Sequence, residues 1–190
     1  SLSPNDQVEC TVTINDPNGE SDSVTVSTTL QNTAPSVSNL SLNPSAPTLS
    51  DSLTCSATVT DIDNETPTVT FVFTNLTSGS TYTATSTTHS SATLDLTTVV
   101  ANFEDDIECS VTATDGYGGT TSDSTQVTIV NTSPVFDSAA AITPSVVEIG
   151  TNVTCSATVS DPDDGVATLT YFWYINGSQV SSGSTWLVNS

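Results

Sequence analysis

Carboxylate side chains recur at a fixed distance from every cysteine of the chain. An aspartate follows each of the four cysteines by six residues, and in two cases another aspartate comes two residues later. Clustered carboxylate oxygens bind hard cations, and Ca²⁺ is the natural extracellular choice, with a Kd on the order of 10⁻⁴–10⁻³ M. The alternative is that these aspartates only shape turns. The candidate calcium ligands are Asp16, Asp61, Asp63, Asp115, Asp161 and Asp163.

The cysteines favour disulfide bonds over metal binding. The sequence contains no CxxC motif and no cysteine–histidine pair with the spacing of metal ligands. Disulfides persist in oxidising compartments, which predicts an extracellular or cell-surface protein.

The charge of the chain excludes several classes of partner and activity. The 190 residues include 21 acidic side chains and neither lysine nor arginine. Nucleic acids and anionic membrane surfaces are bound through basic side chains, so we expect no nucleic-acid partner. No apolar run is long enough to span a bilayer, and we expect no membrane insertion. The serines lack a usable histidine-and-carboxylate constellation, and we expect neither an enzyme nor an organic cofactor.

The cysteine segments belong to an internal repeat. The hexapeptide TCSATV begins at Thr54 and again at Thr154, and the segment around Cys109 aligns with that around Cys10. The Cys10 and Cys109 segments both run on to a short linker, NTAP in the first case and NTSP in the second. Self-similarity of this kind is typical of tandem repeat proteins.

The repeat predicts one complete unit and two partial ones. The complete unit spans residues 32–130, and residues 131–190 are the front of a unit whose back is residues 1–31. We expect residues 131–190 to be completed by residues 1–31 of the next unit. The joining partners are therefore further copies of this sequence, arranged end to end as one continuous polypeptide or as separate subunits.

Alternating apolar and polar residues predict short β-strands. Val8, Cys10, Val12 and Ile14 show this period of two, which repeats around Cys55, Phe73 and Cys109. Turn signals such as Asn18-Gly19 separate the segments. The expected fold class is all-β, with about seven short strands per unit in a β-sandwich.

Two constellations, Cys55…Phe73…Cys109 and Cys155…Trp173 with Cys10 of the next unit, resemble the immunoglobulin-like repeats of large bacterial surface and extracellular fibre proteins. The resemblance implies tandem immunoglobulin-like sandwiches with intersheet disulfides, Cys55–Cys109 and Cys155–Cys10 of the following unit. The alternative for the second pair is two buried free thiols.

The same resemblance implies that the acidic loops meet. In an immunoglobulin-like sandwich, the loops after the two cysteine strands lie at one end. Asp61, Asp63 and Asp115 would then gather beside the NTAP linker, as would Asp161 and Asp163 with Asp16 of the next unit. A cation bound there would stiffen the joint between units.

Six sequons predict N-linked glycan on part of the chain. Asn75 and Asn176 stand near predicted turns and should be the most accessible, whereas Asn131 lies in a Pro-bounded linker. The six acceptors are Asn39, Asn64, Asn75, Asn131, Asn152 and Asn176.

Two functions fit these features. The first is a structural subunit or repeat segment of an extracellular filament, glycosylated and stiffened by cations. The alternative is an adhesin or binding module of a cell-surface protein. A binding domain should carry a distinctive insertion, whereas the two cysteine segments and linkers match closely.

Overall fold

The computed structural model describes residues 2–83, 85–88, 90–163 and 167–189. Strands and one short 3₁₀ helix, Leu96–Thr98, make up the regular structure of these residues, which confirms the all-β prediction. No helix in these ranges is long and apolar enough to cross a membrane. The chain divides into two compact units, Ser1–Ile129 and Val130–Ser190. The assignment of residues 1–31 and 131–190 to one repeat stays a prediction.

The first unit begins with an isolated β-hairpin. Strand β1 (Gln7–Asn15) pairs antiparallel with β2 (Ser21–Thr29) without a register shift. Gly19 has φ +101° in the connecting turn, a conformation that suits glycine because it has no Cβ. Every residue of the two strands is exposed to solvent.

The rest of the first unit consists of two four-stranded antiparallel sheets. One sheet has the strand order β3 (Ser36–Asn43), β4 (Ser52–Thr60), β8 (Ser91–Asp95) and β7 (Thr85–Thr88). The other has the order β10 (Thr120–Thr128), β9 (Asp106–Thr114), β5 (Thr68–Asn75) and β6 (Ser80–Thr83).

A buried core joins these two sheets. Alternate residues of β4, β5 and β9 point inward, and Leu53, Phe73 and Ile107 are fully buried. The disulfide Cys55–Cys109 links β4 in one sheet to β9 in the other, which confirms the predicted pairing. It closes a loop with a sequence separation of 54 residues. By chain entropy, a loop of that length stabilises the fold by about 4 kcal/mol.

The second unit is built from shorter strands. Its sheets pair β13 with both β12 and β17, β15 with β16, and β11 with β14. Val153 and Trp173 are buried, and the Trp173 and Trp186 rings lie 5.7 Å apart. The strands are β11 (Val135–Phe136), β12 (Ala141–Thr143), β13 (Asn152–Ser156), β14 (Val159–Ser160), β15 (Phe172–Ile175), β16 (Ser178–Ser182) and β17 (Thr185–Leu187).

Candidate metal centre

Asp115 directly follows β9 and organises the tight turn that leads into β10. Its Oδ1 accepts hydrogen bonds from the backbone N–H groups of Tyr117 and Gly119, each 2.8 Å long. Its Oδ2 accepts one from Asn32 Nδ2 at 2.9 Å, so the same carboxylate holds the NTAP linker. The Asn32 hydrogen bond and, after it, the turn amides lower the pKa of Asp115, although burial opposes them. Asp115 is therefore a buried, ionised group beside the linker.

Asp61 and Asp63 shape the loop after β4. Asp61 Oδ1 accepts the backbone N–H of Asp63 at 2.8 Å, which is the turn chemistry expected of aspartate. Asp63 Oδ2 accepts the backbone N–H of Thr33 at 2.7 Å. Asp63 therefore ties the linker to the sandwich one residue further along the chain than Asp115 does.

Glu65 brings a third carboxylate to this place. One carboxylate oxygen from each of Asp61, Glu65 and Asp115 lies within 4.8 Å of the others. Both oxygens of Glu65 and Oδ2 of Asp61 are enclosed without a hydrogen bond of normal geometry. Lone pairs enclosed in this way are costly unless a proton or a cation satisfies them.

The pKa of Glu65 reflects this enclosure. Burial raises the pKa of Glu65 above its ordinary value, and the nearby N–H of Gly116 offsets part of that rise. The negative charges of Asp115, Asp61 and Asp63 raise it further. A bound cation would reverse this balance because it favours the ionised carboxylate.

Of the three residues predicted to gather beside the first linker, Asp61 and Asp115 are neighbours in the cluster. Asp63 instead directs an oxygen to the linker amide. Sequence reasoning missed Glu65, which stands four residues after Asp61 in the same acidic stretch. No periodicity marks Glu65, because its position depends on a loop that folds back beside Asp115. Calcium binding at this cluster stays a prediction.

The second linker repeats part of this arrangement. Asp163 Oδ2 accepts the backbone N–H of Thr132, and Asp161 Oδ1 accepts the N–H of Asp163 at 3.0 Å. Asp16 forms the same turn as Asp115, with Oδ1 accepting from the N–H groups of Asn18 and Glu20 at 2.8 and 2.9 Å. Asp16 is exposed and lies in the first unit, so its meeting with Asp161 and Asp163 across copies remains untested.

The remaining cysteines carry free thiols. Cys10 is exposed on β1, and Cys155 is half-buried on β13. The bond between Cys155 and Cys10 of a following unit stays a prediction.

The predicted accessibility of Asn75 is wrong. Asn75 is fully buried, and its Nδ2 donates to Asp105 Oδ2 at 2.7 Å. Its Oδ1 accepts the backbone N–H groups of Thr77 and Ser78, so this side chain organises the turn after β5. A glycan on that nitrogen would need space that the fully buried side chain does not have. The other five acceptors are exposed, namely Asn39, Asn64, Asn131, Asn152 and Asn176.

Comparison with known proteins places the chain in no family. No protein-family model matches it, and no curated protein matches it. One similar solved structure is described as the crystal structure of a tetra-tandem repeat in the extending region of a large adhesion protein. The two share 19% sequence identity with a TM-score of 0.37, over all of this chain and 47% of the other. At that TM-score the likeness establishes neither fold nor function.

Proposed function

We propose that this chain is a structural repeat segment of an extracellular filament or fibre, built from immunoglobulin-like domains joined end to end. The observation that carries the proposal is the repeated joint. At both NT(A/S)P linkers, an aspartate two residues after the first loop aspartate accepts the linker's threonine N–H. A joint built twice in the same way suits a segment whose task is to connect domains at a defined spacing.

The strand order of the first unit supports the immunoglobulin-like assignment. In that fold, four strands form one sheet in the order A-B-E-D, and the others form the C-F-G sheet. The orders β3-β4-β8-β7 and β10-β9-β5-β6 follow the same connectivity, with the disulfide between the second strand of each sheet. Phe73 on β5, fully buried, occupies the place of the aromatic residue that packs beside such a disulfide.

Two features support a location outside the cell or at its surface. The Cys55–Cys109 disulfide is of a kind that persists in oxidising compartments. The net charge of −21 keeps long assemblies soluble and apart through like-charge repulsion. Glycans on the exposed sequons would add to this surface, and the interaction partners are copies of the same repeat.

Calcium binding at the Asp61–Glu65–Asp115 cluster forms the second part of the proposal. The enclosed and unpartnered oxygens of Glu65 and Asp61 support it, since oxygen ligands are what Ca²⁺ prefers. Asp115 also holds the linker through Asn32, so a cation there would restrain the linker as well as the loops.

A binding assay separates the structural role from the adhesin alternative. The chain, oxidised at Cys55–Cys109, is applied to a polysaccharide and glycan array with Ca²⁺ and with a chelator. A structural segment gives no saturable binding under either condition. Saturable binding that depends on the loops of the Asp61–Glu65–Asp115 cluster would overturn the structural proposal and favour the adhesin.

A further inference from the structure

Among the strands that the structure describes, two have an unpaired edge where the complete repeat has a continuous sheet. In the first unit, β9 lies between β10 and β5. By sequence alignment β1 is the counterpart of β9, and β15 is the counterpart of β5. Among the described strands, β1 pairs only with β2, and β15 pairs only with β16. Unpaired edges present rows of free N–H and C=O groups that accept a further strand.

One face of the β1–β2 hairpin carries apolar side chains whose counterparts in the complete unit are buried. On β9, the side chains of Cys109 and Val111 are fully buried. The counterparts on β1 are Cys10, which is exposed, and Val12, which is 55% exposed. Val26 continues the same apolar face on β2, directly opposite Cys10. A surface of this composition is typical of an interface.

The second unit presents the matching strand edge on β15, where Trp173 is itself already buried. Trp173 on β15 occupies the position of Phe73 on β5, which lies directly opposite Cys109 in the adjacent strand. Addition of β1 in the same register would place Cys10 opposite Trp173. It would also bring Cys10 to the free thiol of Cys155, whose counterpart Cys55 is bonded to Cys109.

The loops next to this proposed contact differ from those of the complete unit at two aligned positions, where glutamate and glycine are exchanged. The complete unit has Glu65 in the loop after β4 and Gly119 in the turn after β9. The equivalent positions in the second unit and the first hairpin carry Gly165 and Glu20. At these two positions each pair of loops therefore has one glutamate and one glycine. A Cβ on Gly119 would lie 2.2 Å from Asp115 Oδ2, so a side chain there starts beside the carboxylate cluster.

We propose that hairpin β1–β2 of one copy completes the second unit of another copy. The strand order is β2-β1-β15-β16, with a Cys10–Cys155 disulfide and with Glu20 supplying the carboxylate that Glu65 supplies in the complete unit. The inference rests on the proposed function because it names the surfaces through which repeats join. Glu20 carries a Cβ, so the linker at Asn131 must lie further from this turn than the Asn32 linker does from Gly119.

The disulfide step needs an electron acceptor. Two thiols, on Cys10 and Cys155 of different copies, lose two protons and two electrons as the S–S bond forms. An organic disulfide such as oxidised glutathione accepts them and leaves as two thiols. Docking of the two faces comes first and raises the effective concentration of one thiol at the other.

Mixing two variants tests the pairing between copies. Cys10→Ala retains only the Cys155 thiol, and Cys155→Ala retains only the Cys10 thiol, so neither can form the proposed bond alone. With oxidised glutathione, the mixture should yield about tenfold more crosslinked dimer than either variant alone, because docking concentrates complementary thiols. Peptide mapping without reduction should find the Cys10–Cys155 bond. Equal yields in mixed and unmixed samples, or no dimer, would overturn the proposal.

A matched pair of surface variants tests the face itself. Val12→Asp in the Cys155→Ala copy buries a charge in the proposed interface and should lower the dimer yield at least about tenfold. Thr11→Asp adds the same charge to the opposite face of β1 and should leave the yield unchanged, since alternate residues of a strand point to opposite faces. Equal effects of the two variants would contradict docking through this face.

The wild-type chain distinguishes assembly between copies from closure within one. Oxidation should give a ladder of dimers, trimers and longer chains, whereas a monomer with an internal Cys10–Cys155 bond would overturn the proposal. The glycan-array result is independent of these outcomes. Failure to crosslink leaves the structural role standing, and saturable glycan binding would remove that role without affecting the assembly.

Discussion

Hairpins β1–β2 and β9–β10 are built alike but sit in different surroundings. Both consist of nine-residue strands, and their aligned residues pair alike, with Cys10 opposite Val26 and Cys109 opposite Thr125. Both turns are organised by an aspartate that accepts two backbone N–H groups. Yet β1 is exposed throughout, whereas every second residue of β9 is buried.

The comparison shows which properties of a hairpin depend on local sequence and which depend on tertiary packing. Aspartate turn chemistry and alternating β-branched residues are enough to specify the hairpin and its register. Burial depends on whether a sheet lies alongside, and β9 has β5 as its neighbour while β1 has no such neighbour among the described strands. An isolated hairpin is marginal in water, so stability in the first unit should come from β9 and the residues it covers.

Removal of the disulfide should have the largest effect. Cys55→Ala with Cys109→Ala opens the 54-residue loop and should lower the free energy of unfolding of the first unit by about 4 kcal/mol. The control, Cys10→Ala, changes an exposed side chain of the equivalent strand and should alter it by less than about 0.5 kcal/mol. Urea unfolding, followed by far-ultraviolet circular dichroism, measures the free energy of unfolding of both variants. Similar losses in the two proteins would contradict the contrast between the hairpins.

A valine pair tests the same contrast with matched chemistry. Val111 is fully buried and Val12 is 55% exposed at the equivalent position. Val111→Ala removes two methyl groups from a packed core and should cost about 2 kcal/mol of unfolding free energy. Val12→Ala should cost less than about 0.5 kcal/mol in the monomer. If the two changes cost the same, the hairpin face is covered in solution.

Much of this fold follows from the pattern of residues, and the exceptions share one physical cause. The alternation around Cys10, Cys55 and Cys109 correctly predicted strands, and the Cys55–Cys109 pairing followed from the family resemblance. Asn75 was misread because a polar residue at a strand end is normally exposed, and its burial depends on Asp105, 30 residues further along the chain.

The acidic cluster shows the same limit. Asp61 and Asp115 were found from their equal distance to the two cysteines, which is a property of the repeat. Glu65 reaches Asp115 across a loop, and Asp63 turns to the Thr33 amide of the linker instead. Contacts that depend on the path of a loop leave no periodic trace in the sequence. Predictions made from offsets therefore identified the place, and the part of Asp63 in cation binding stays a prediction.

The two hairpin turns also differ at one aligned position, which is Gly119 beside the linker in one hairpin and Glu20 in the other. A Cβ on Gly119 would lie 2.2 Å from Asp115 Oδ2 and 2.8 Å from Ala34 Cα, whereas position 20 of the first hairpin carries a glutamate. Gly119→Ala should therefore destabilise the first unit by about 1–2 kcal/mol, at the lower end of the cost of overpacking. Glu20→Ala serves as the control and should be near neutral. An unchanged melting temperature for Gly119→Ala would mean that the linker is not held against the turn.

The smallest effect, and the most informative in sign, concerns Glu65. Its pKa is raised above the ordinary 4.5, so the stability it contributes is present below pH 4.5 and is lost as the pH rises through the raised value. Without calcium, Glu65→Gln should therefore raise the melting temperature slightly at pH 7, and the gain should vanish near pH 4.5.

With calcium, the wild-type melting temperature should rise and that of Glu65→Gln should not. Glu9→Gln removes an equal charge from an exposed site of the first hairpin and should keep the wild-type response to calcium. Equal calcium responses in all three proteins would exclude the cluster as the cation site, because Glu65 supplies two of its three unpartnered oxygens.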